Sequence, residues 1–203
     1  MINLPLRAFK WTMLLLFACT GPVLMAQRGA LTAPRNISQL TARSALILRG
    51  RVVEAHVERH ATVRGLRTVV VTLRSEEVMK GRAGATYTFR EVIWDVRDID
   101  DKAGYRKGQQ WLLFLNAPNE NGLTSPVGLE QGRFKVIERA DRKVEVVNGR
   151  GNVGLFEGVT QAPEYKASTL SSRAQSMVST HRQGAVMLDS LREVVRSLAG
   201  GQQ

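Results

Sequence analysis

Apolar and polar side chains alternate through the middle of the chain. Over residues 44–57, β-forming residues surround Gly50, and Val53, Ala55 and Val57 alternate with Glu54, His56 and Glu58. This period of two predicts a long half-buried strand, and a glycine at its middle permits a bulge or bend. Residues 68–74 alternate again, with Val69, Val71 and Leu73 on one face and Thr68, Thr72 and Arg74 on the other. The spacing predicts an antiparallel pair over 44–57 and 66–75, joined by a polar loop containing Gly65. Tyr87 and Phe89 mark the inner face of a third strand over 86–91. The continuous apolar run Trp111-Leu112-Leu113-Phe114-Leu115 predicts a central strand buried on both faces. A fifth strand is expected over 128–137, with Phe134 and Val136 inward and Arg133 and Lys135 outward. Two short strands, 144–147 and 153–156, would flank the turn at Asn148-Gly149.

Toward both ends the period changes. Residues 37–42 fit one or two helical turns after an irregular lead-in containing Pro34. Residues 161–180 are polar and serine-rich and predict a tether of undetermined helix content. From Asp189 onward, Leu191, Val194, Val195 and Leu198 recur at helical spacing, with Ser190 and Glu193 placed as a capping box and Gly200 as a stop. The expected fold is mainly β: a small five-stranded OB-like antiparallel barrel carrying a C-terminal helix, with a β-sandwich as the alternative.

The first 26 residues differ in character. Arg7 and Lys10 precede the apolar run of residues 11–18, which Gly21-Pro22 interrupts before Val23-Leu24-Met25-Ala26. That order predicts a secretory signal cleaved after Ala26, so that Gln27 begins the mature chain. The run is too short for a helix crossing roughly 30 Å of hydrocarbon, which takes about 20 apolar residues. Cys19, the single cysteine, follows Leu16-Phe17-Ala18 in a lipobox-like order, so lipidation at Cys19 is the alternative. On either reading no cysteine is left for a disulfide, a thiolate nucleophile or a metal site in the folded part. The expected organisation is a signal peptide over 1–26, a lead-in with a short helix over 27–43, the barrel over 44–160, a polar tether over 161–187 and the helix over 188–199.

Charge adds a second constraint. Without Arg7 and Lys10 the mature chain keeps 27 basic residues against 18 acidic ones. Only seven basic residues of the full chain are lysine, and arginine is favoured where a planar fork grips phosphate or carboxylate. These arginines are scattered, which reads as a solvated surface; a surface for anionic envelope polymers or lipid head groups is the alternative.

Ile47-Leu48-Arg49-Gly50-Arg51-Val52-Val53, Glu77-Val78-Met79-Lys80-Gly81, Lys107-Gly108-Gln109-Gln110-Trp111-Leu112-Leu113-Phe114-Leu115 and Gly128-Leu129-Glu130-Gln131-Gly132-Arg133-Phe134 occur in that order. Over residues 38–156 this series resembles the OB-fold modules of the netrin and tissue-inhibitor-of-metalloproteinases type, as in uncharacterised exported bacterial proteins. The resemblance implies a barrel that binds rather than catalyses. In the animal inhibitors an amino-terminal cysteine chelates the protease zinc; the mature chain here begins without one, so that mechanism does not carry over, and the netrin-type disulfides are absent too.

Candidate chemistry is sparse. His56 and His60 lie four apart, but on a strand that separation is about 13 Å, too far for shared ligation. Asp95, Asp98, Asp100 and Asp101 lack the spacing and glycine of a calcium loop and read as a solvated acidic loop. His181 has no evident nucleophile partner, and Ser190 reads as a helix cap. Gly149-Arg150-Gly151-Asn152-Val153-Gly154 spells a nucleotide fingerprint without the strand and long helix that such a site needs, and reads as a turn. Trp94 and Trp111 would suit base stacking on an OB face, but Trp111 sits in an apolar run and reads as core.

The expectation is an exported, non-enzymatic binding module, periplasmic or extracellular. Its partner would be another envelope or secreted protein, such as a protease; binding to an anionic envelope surface is the alternative. No cofactor, metal, nucleic-acid partner or retained transmembrane segment is expected. A hydrolase would need a pair such as His56 and Asp95.

Overall fold

The computed structural model describes residues 32–200. The expected signal over 1–26, its cleavage after Ala26, and Cys19 lie outside the described residues. Helix α1 spans Ile37–Arg43, where Asn36 accepts from the Gln39 amide and the Gln39 side chain returns the bond to the Asn36 amide. This reciprocal cap satisfies two of the unpaired amides at the helix start. Strands follow at β1 (Leu46–Arg59), β2 (Arg67–Lys80), β3 (Thr86–Val92), β4 (Gln110–Leu115), β5 (Arg133–Glu138) and β6 (Val144–Asn148). Helix α2 (Ser172–Thr180), the two-residue strand β7 (Val186–Met187) and helix α3 (Leu188–Gly200) complete the order.

The strands make one sheet in the order β3-β2-β1-β4-β5-β6-β7, and every neighbouring pair is antiparallel. The architecture is mainly β with a C-terminal helix, as expected, but in place of the expected small five-stranded OB-like barrel there are seven strands in an open order. A single sheet among the described residues is not the alternative sandwich. Residues 153–156 are not a strand: Gly151, Asn152 and Gly154 all have positive φ, a conformation that cannot continue a pleat. The fully buried Asn152 fixes that turn, donating to the Val146 carbonyl at 3.0 Å and to the Gly184 carbonyl at 2.8 Å. β7, two residues long, pairs with β6 instead.

β1 carries three register shifts against β2, one of them at Gly50. A Cβ there would come within 2.9 Å of the Arg74 carbonyl oxygen, so glycine is required where the two backbones crowd. Another shift, between Val52 and Glu54, inserts Val53 as an extra residue. This corrects the expected inward place of Val53, which is 44% exposed. β2 runs to Lys80, because residues 76–80 continue to pair with the start of β1.

Two cores lie on opposite faces of β4. Leu112 and Phe114 join Ile37, Ile47, Phe134, Val146 and the α3 residues Leu191, Val194, Val195 and Leu198. Trp111, Leu113 and Leu115 join Leu48, Val52, Val71, Leu73, Phe89 and Tyr105. Burial on both sides is why β4 is apolar without alternation. Arg133, expected outward, does oppose Phe134, but the face it enters is covered, and its side chain is only 11% exposed.

Part of the expected tether is helical. Ser171 caps α2 through the Ala174 amide, and Ala174 and Val178, four apart, are buried. The expected capping box of the last helix is not formed: α3 starts at Leu188, directly after β7, so Ser190 falls inside its first turn and is buried. Glu193 instead accepts from the Ser171 amide at 2.9 Å and joins the two helices. α3 is tied to β2 where Glu77 takes Arg192 and Arg196, each at 2.8 Å. None of the described helices is long and apolar enough to cross a membrane.

Candidate functional site

The structure disperses the histidines. His56 Nδ1 lies 3.2 Å from Glu54 and its Nε2 3.8 Å from Glu58. The His60 ring is occupied on both sides: Nδ1 accepts from the Val63 amide of its own hairpin at 3.1 Å, and Nε2 meets the carbonyl of Asn121, in the segment after β4, at 3.1 Å. His181 Nε2 faces the Gly184 carbonyl at 3.1 Å and the ring meets Phe156 edge-on, with burial pushing the imidazole pKa down. Asp95 caps a short 3-10 turn and pairs with Arg97, and Asp101 takes Arg106 at 2.7 Å. Among the described residues no group of three or more His, Cys, Asp or Glu side chains is placed to hold a metal ion.

The acidic stretch has a different part. Residues 93–109 leave β3, make two 3-10 turns over Val96–Asp98 and Lys102–Gly104, and enter β4. The two arginine–aspartate pairs brace the loop from within. Its base is pinned to the sheet by three backbone bonds: Ile93 to the Arg67 carbonyl at 3.0 Å, Gly108 to Val52 at 2.8 Å and Val52 to Gln109 at 2.9 Å. On this braced loop Trp94 is 80% exposed and Val96 76% exposed.

Beneath the loop lies a buried polar cluster. The β3 pleat sends Glu91 to the same side as Tyr87 and Phe89, and its side chain is enclosed. The Tyr105 hydroxyl, from the returning arm of the loop, donates to Glu91 Oε2 at 3.0 Å. The Arg133 guanidinium carbon lies over two rings, 4.4 Å from the centroid of Tyr105 and 4.7 Å from that of Trp111. Such stacking suits a guanidinium, which is planar and weakly hydrated. Trp111 is thus core, as expected, and the Tyr105 ring also meets Phe89 and Trp111 edge-on. Gly104, at positive φ, lies close under the Arg133 guanidinium, which leaves no room for a Cβ.

Burial pushes the Glu91 pKa up to about 7, against the opposing pull of Arg133 and the Tyr105 hydrogen bond. Burial and the nearby Glu91 charge push Tyr105 up. For Arg133, burial works against the charge, but Tyr105, Glu130 and Glu91 outweigh it and raise the pKa. Reading residues singly misses this cluster, although a pointer exists: Glu91 continues the inward alternation Tyr87, Phe89. The approach of Tyr105 and Arg133 has no local signal, because they are 28 residues apart and on different elements.

Open clefts also mark the surface of the described residues. One of about 550 Å³ lies between α2 and the β7–α3 segment, with Arg173, Arg182 and His181 in its lining. Another, about 380 Å³, is lined by Thr32, Arg35, Arg43, Asn116 and the segment 125–129. Neither lining includes a carboxylate. Compared with known proteins, the chain matches no protein-family model and has no significant similarity to a curated protein.

Proposed function

We propose that the chain is an exported, non-enzymatic binding module that docks another envelope or secreted protein, such as a protease, through the loop of residues 93–109. The observation that carries this reading is the exposure of Trp94 and Val96 on a loop that is internally braced and pinned to the sheet. An exposed tryptophan on a rigid base loses little conformational freedom on binding and offers a large contact area, and tryptophan is enriched among residues that dominate interface energies. Export rests on the basic-then-apolar order of residues 1–26.

The same reading takes β1 to β4 as an OB-like core. It is supported by residues 123–126, where single bridges join Leu123 to Arg90 of β3 in parallel and Pro126 to Leu115 of β4 in antiparallel sense. This short segment spans the gap between the third and fourth strands.

The test is affinity capture from envelope and culture-medium extracts with residues 27–203, as wild type and as Trp94→Ala, washed at low and then high salt. One defined protein should survive the high-salt wash on the wild type and be held at least about tenfold less by the variant. The two carboxylate-free clefts with Arg35, Arg43, Arg173 and Arg182 favour a second reading, attachment to anionic envelope polymers or lipid head groups. Release of a mixed anionic fraction by salt, with wild type and variant alike, would replace the first reading with the second.

A further inference from the structure

Tyr105 is the plug of the 93–109 loop. It is fully buried, its ring packs edge-on against Phe89 of β3 and Trp111 of β4, and its hydroxyl bonds Glu91. Besides the backbone bonds at its base, the bond from Arg51 Nη1 to the Gly108 carbonyl at 2.9 Å and the packing of Ile93 and Ala103 on the core, the loop is held to the sheet through this fully buried side chain. We propose that Tyr105, Glu91 and Arg133 form a pH-sensitive latch that holds the loop of residues 93–109 on the sheet at low pH and loosens it as the pH rises.

Glu91 is enclosed by its own strand and by groups from three other places. Tyr105 faces it from the loop, Arg133 from the start of β5, and Glu130 from the turn before β5. Val69, its partner on β2, brings no charge. Arg90, Glu58 and His56 are linked to one another on the opposite face, since Arg90 is the adjacent strand residue. Among the described residues Arg133 is therefore the one cation set against the carboxylate, and it is shared with the Tyr105 and Trp111 rings and with Glu130 at 3.7 Å, its Nε buried and without an acceptor. Compensation for an ionised Glu91 is partial, while a neutral carboxyl sits there at lower cost.

Opening the loop withdraws the Tyr105 ring and lets water reach the carboxylate. Glu91 then returns from about 7 toward its ordinary value of 4.5. Because the closed state holds the proton more tightly, the opening equilibrium rises with pH, by about seventyfold between pH 5 and pH 8 for that difference. The latch would set how firmly Trp94 is presented, and this consequence rests on the docking reading above; the opening itself does not.

Amide hydrogen exchange on the free protein, residues 27–203, corrected for intrinsic rates, tests the latch without any partner. The Val52 and Gly108 amides, bonded across the loop base, report opening; the Phe114 amide, bonded to the Gly132 carbonyl in the core, reports unfolding. The loop amides should be at least about tenfold less protected than Phe114 and should lose about seventyfold in protection from pH 5 to pH 8. In Glu91→Gln that loss should shrink to less than about twofold. In Tyr105→Phe, which keeps the ring but not the hydroxyl, the loop amides should lose protection at pH 8 while Phe114 stays far better protected. Loop amides as protected as Phe114 at both pH values would overturn the latch, as would an unchanged pH dependence in Glu91→Gln. Loss of partner capture in the preceding experiment would leave these exchange results untouched, so the two readings fail separately.

Discussion

On β3 the pleat alone carries Glu91 into the core beside Tyr87 and Phe89, and the protein meets the carboxylate with one phenolic hydroxyl and one stacked guanidinium. Burial raises the carboxyl from 4.5 to about 7, so the native state binds its proton more tightly than the unfolded chain. The resulting stability is fully present below pH 4.5 and is lost as the pH rises through 7. Removing the hydroxyl sharpens this dependence, because an ionised Glu91 then has no hydrogen-bond donor from Tyr105. Tyr105→Phe is expected to lose about 1–3 kcal/mol of unfolding free energy at pH 8 and less at pH 5, measured by urea unfolding followed by circular dichroism. Arg133 carries a related lesson. Alternation correctly sets it opposite Phe134, yet "outward" there means toward a loop that arrives from elsewhere in the sequence.

Among the elements, those with an uninterrupted local signal were legible: the inward residues of β2, the doubly buried β4, the apolar stripe of α3. α2 was harder to read because Ala174 and Val178 are its only buried positions, a stripe too narrow to stand out from a serine-rich background. β7 is too short to leave a pattern, and the turn at Asn152 is set by side-chain bonds to Val146 and Gly184, which no period encodes. Docking of α3 depends on a charge as well as on its stripe. Glu77 is 13% exposed and serves Arg192 and Arg196 together. Glu77→Ala is expected to cost about 1–3 kcal/mol, between the exposed and buried limits for an ion pair, with a smaller cost at high salt. Thermal melts at two salt concentrations measure it. The candidate site is legible only in part: Trp94 stands out as an aromatic that suits stacking, whereas the bonds that pin its loop join Ile93 to Arg67 and Gly108 and Gln109 to Val52, pairings that follow from the fold.

For the molecule as a whole, the two cores share β4, so neither face of the sheet is independent of the other. Deleting residues 184–203 removes β7 and α3 and uncovers Phe114, Phe134 and Val146. The truncated chain is expected to lose cooperative unfolding and to aggregate, measured by near-ultraviolet circular dichroism and light scattering. The order of the chain gives this packing a meaning in time. Leu191, Val194, Val195 and Leu198 seal a core whose other walls are built from Ile37 onward. On the ribosome the strands that wall this core therefore emerge before α3, and its burial is completed only once α3 has been made. Were the proposed export to take the chain across unfolded, that delay would keep it pliable until α3 has followed the strands.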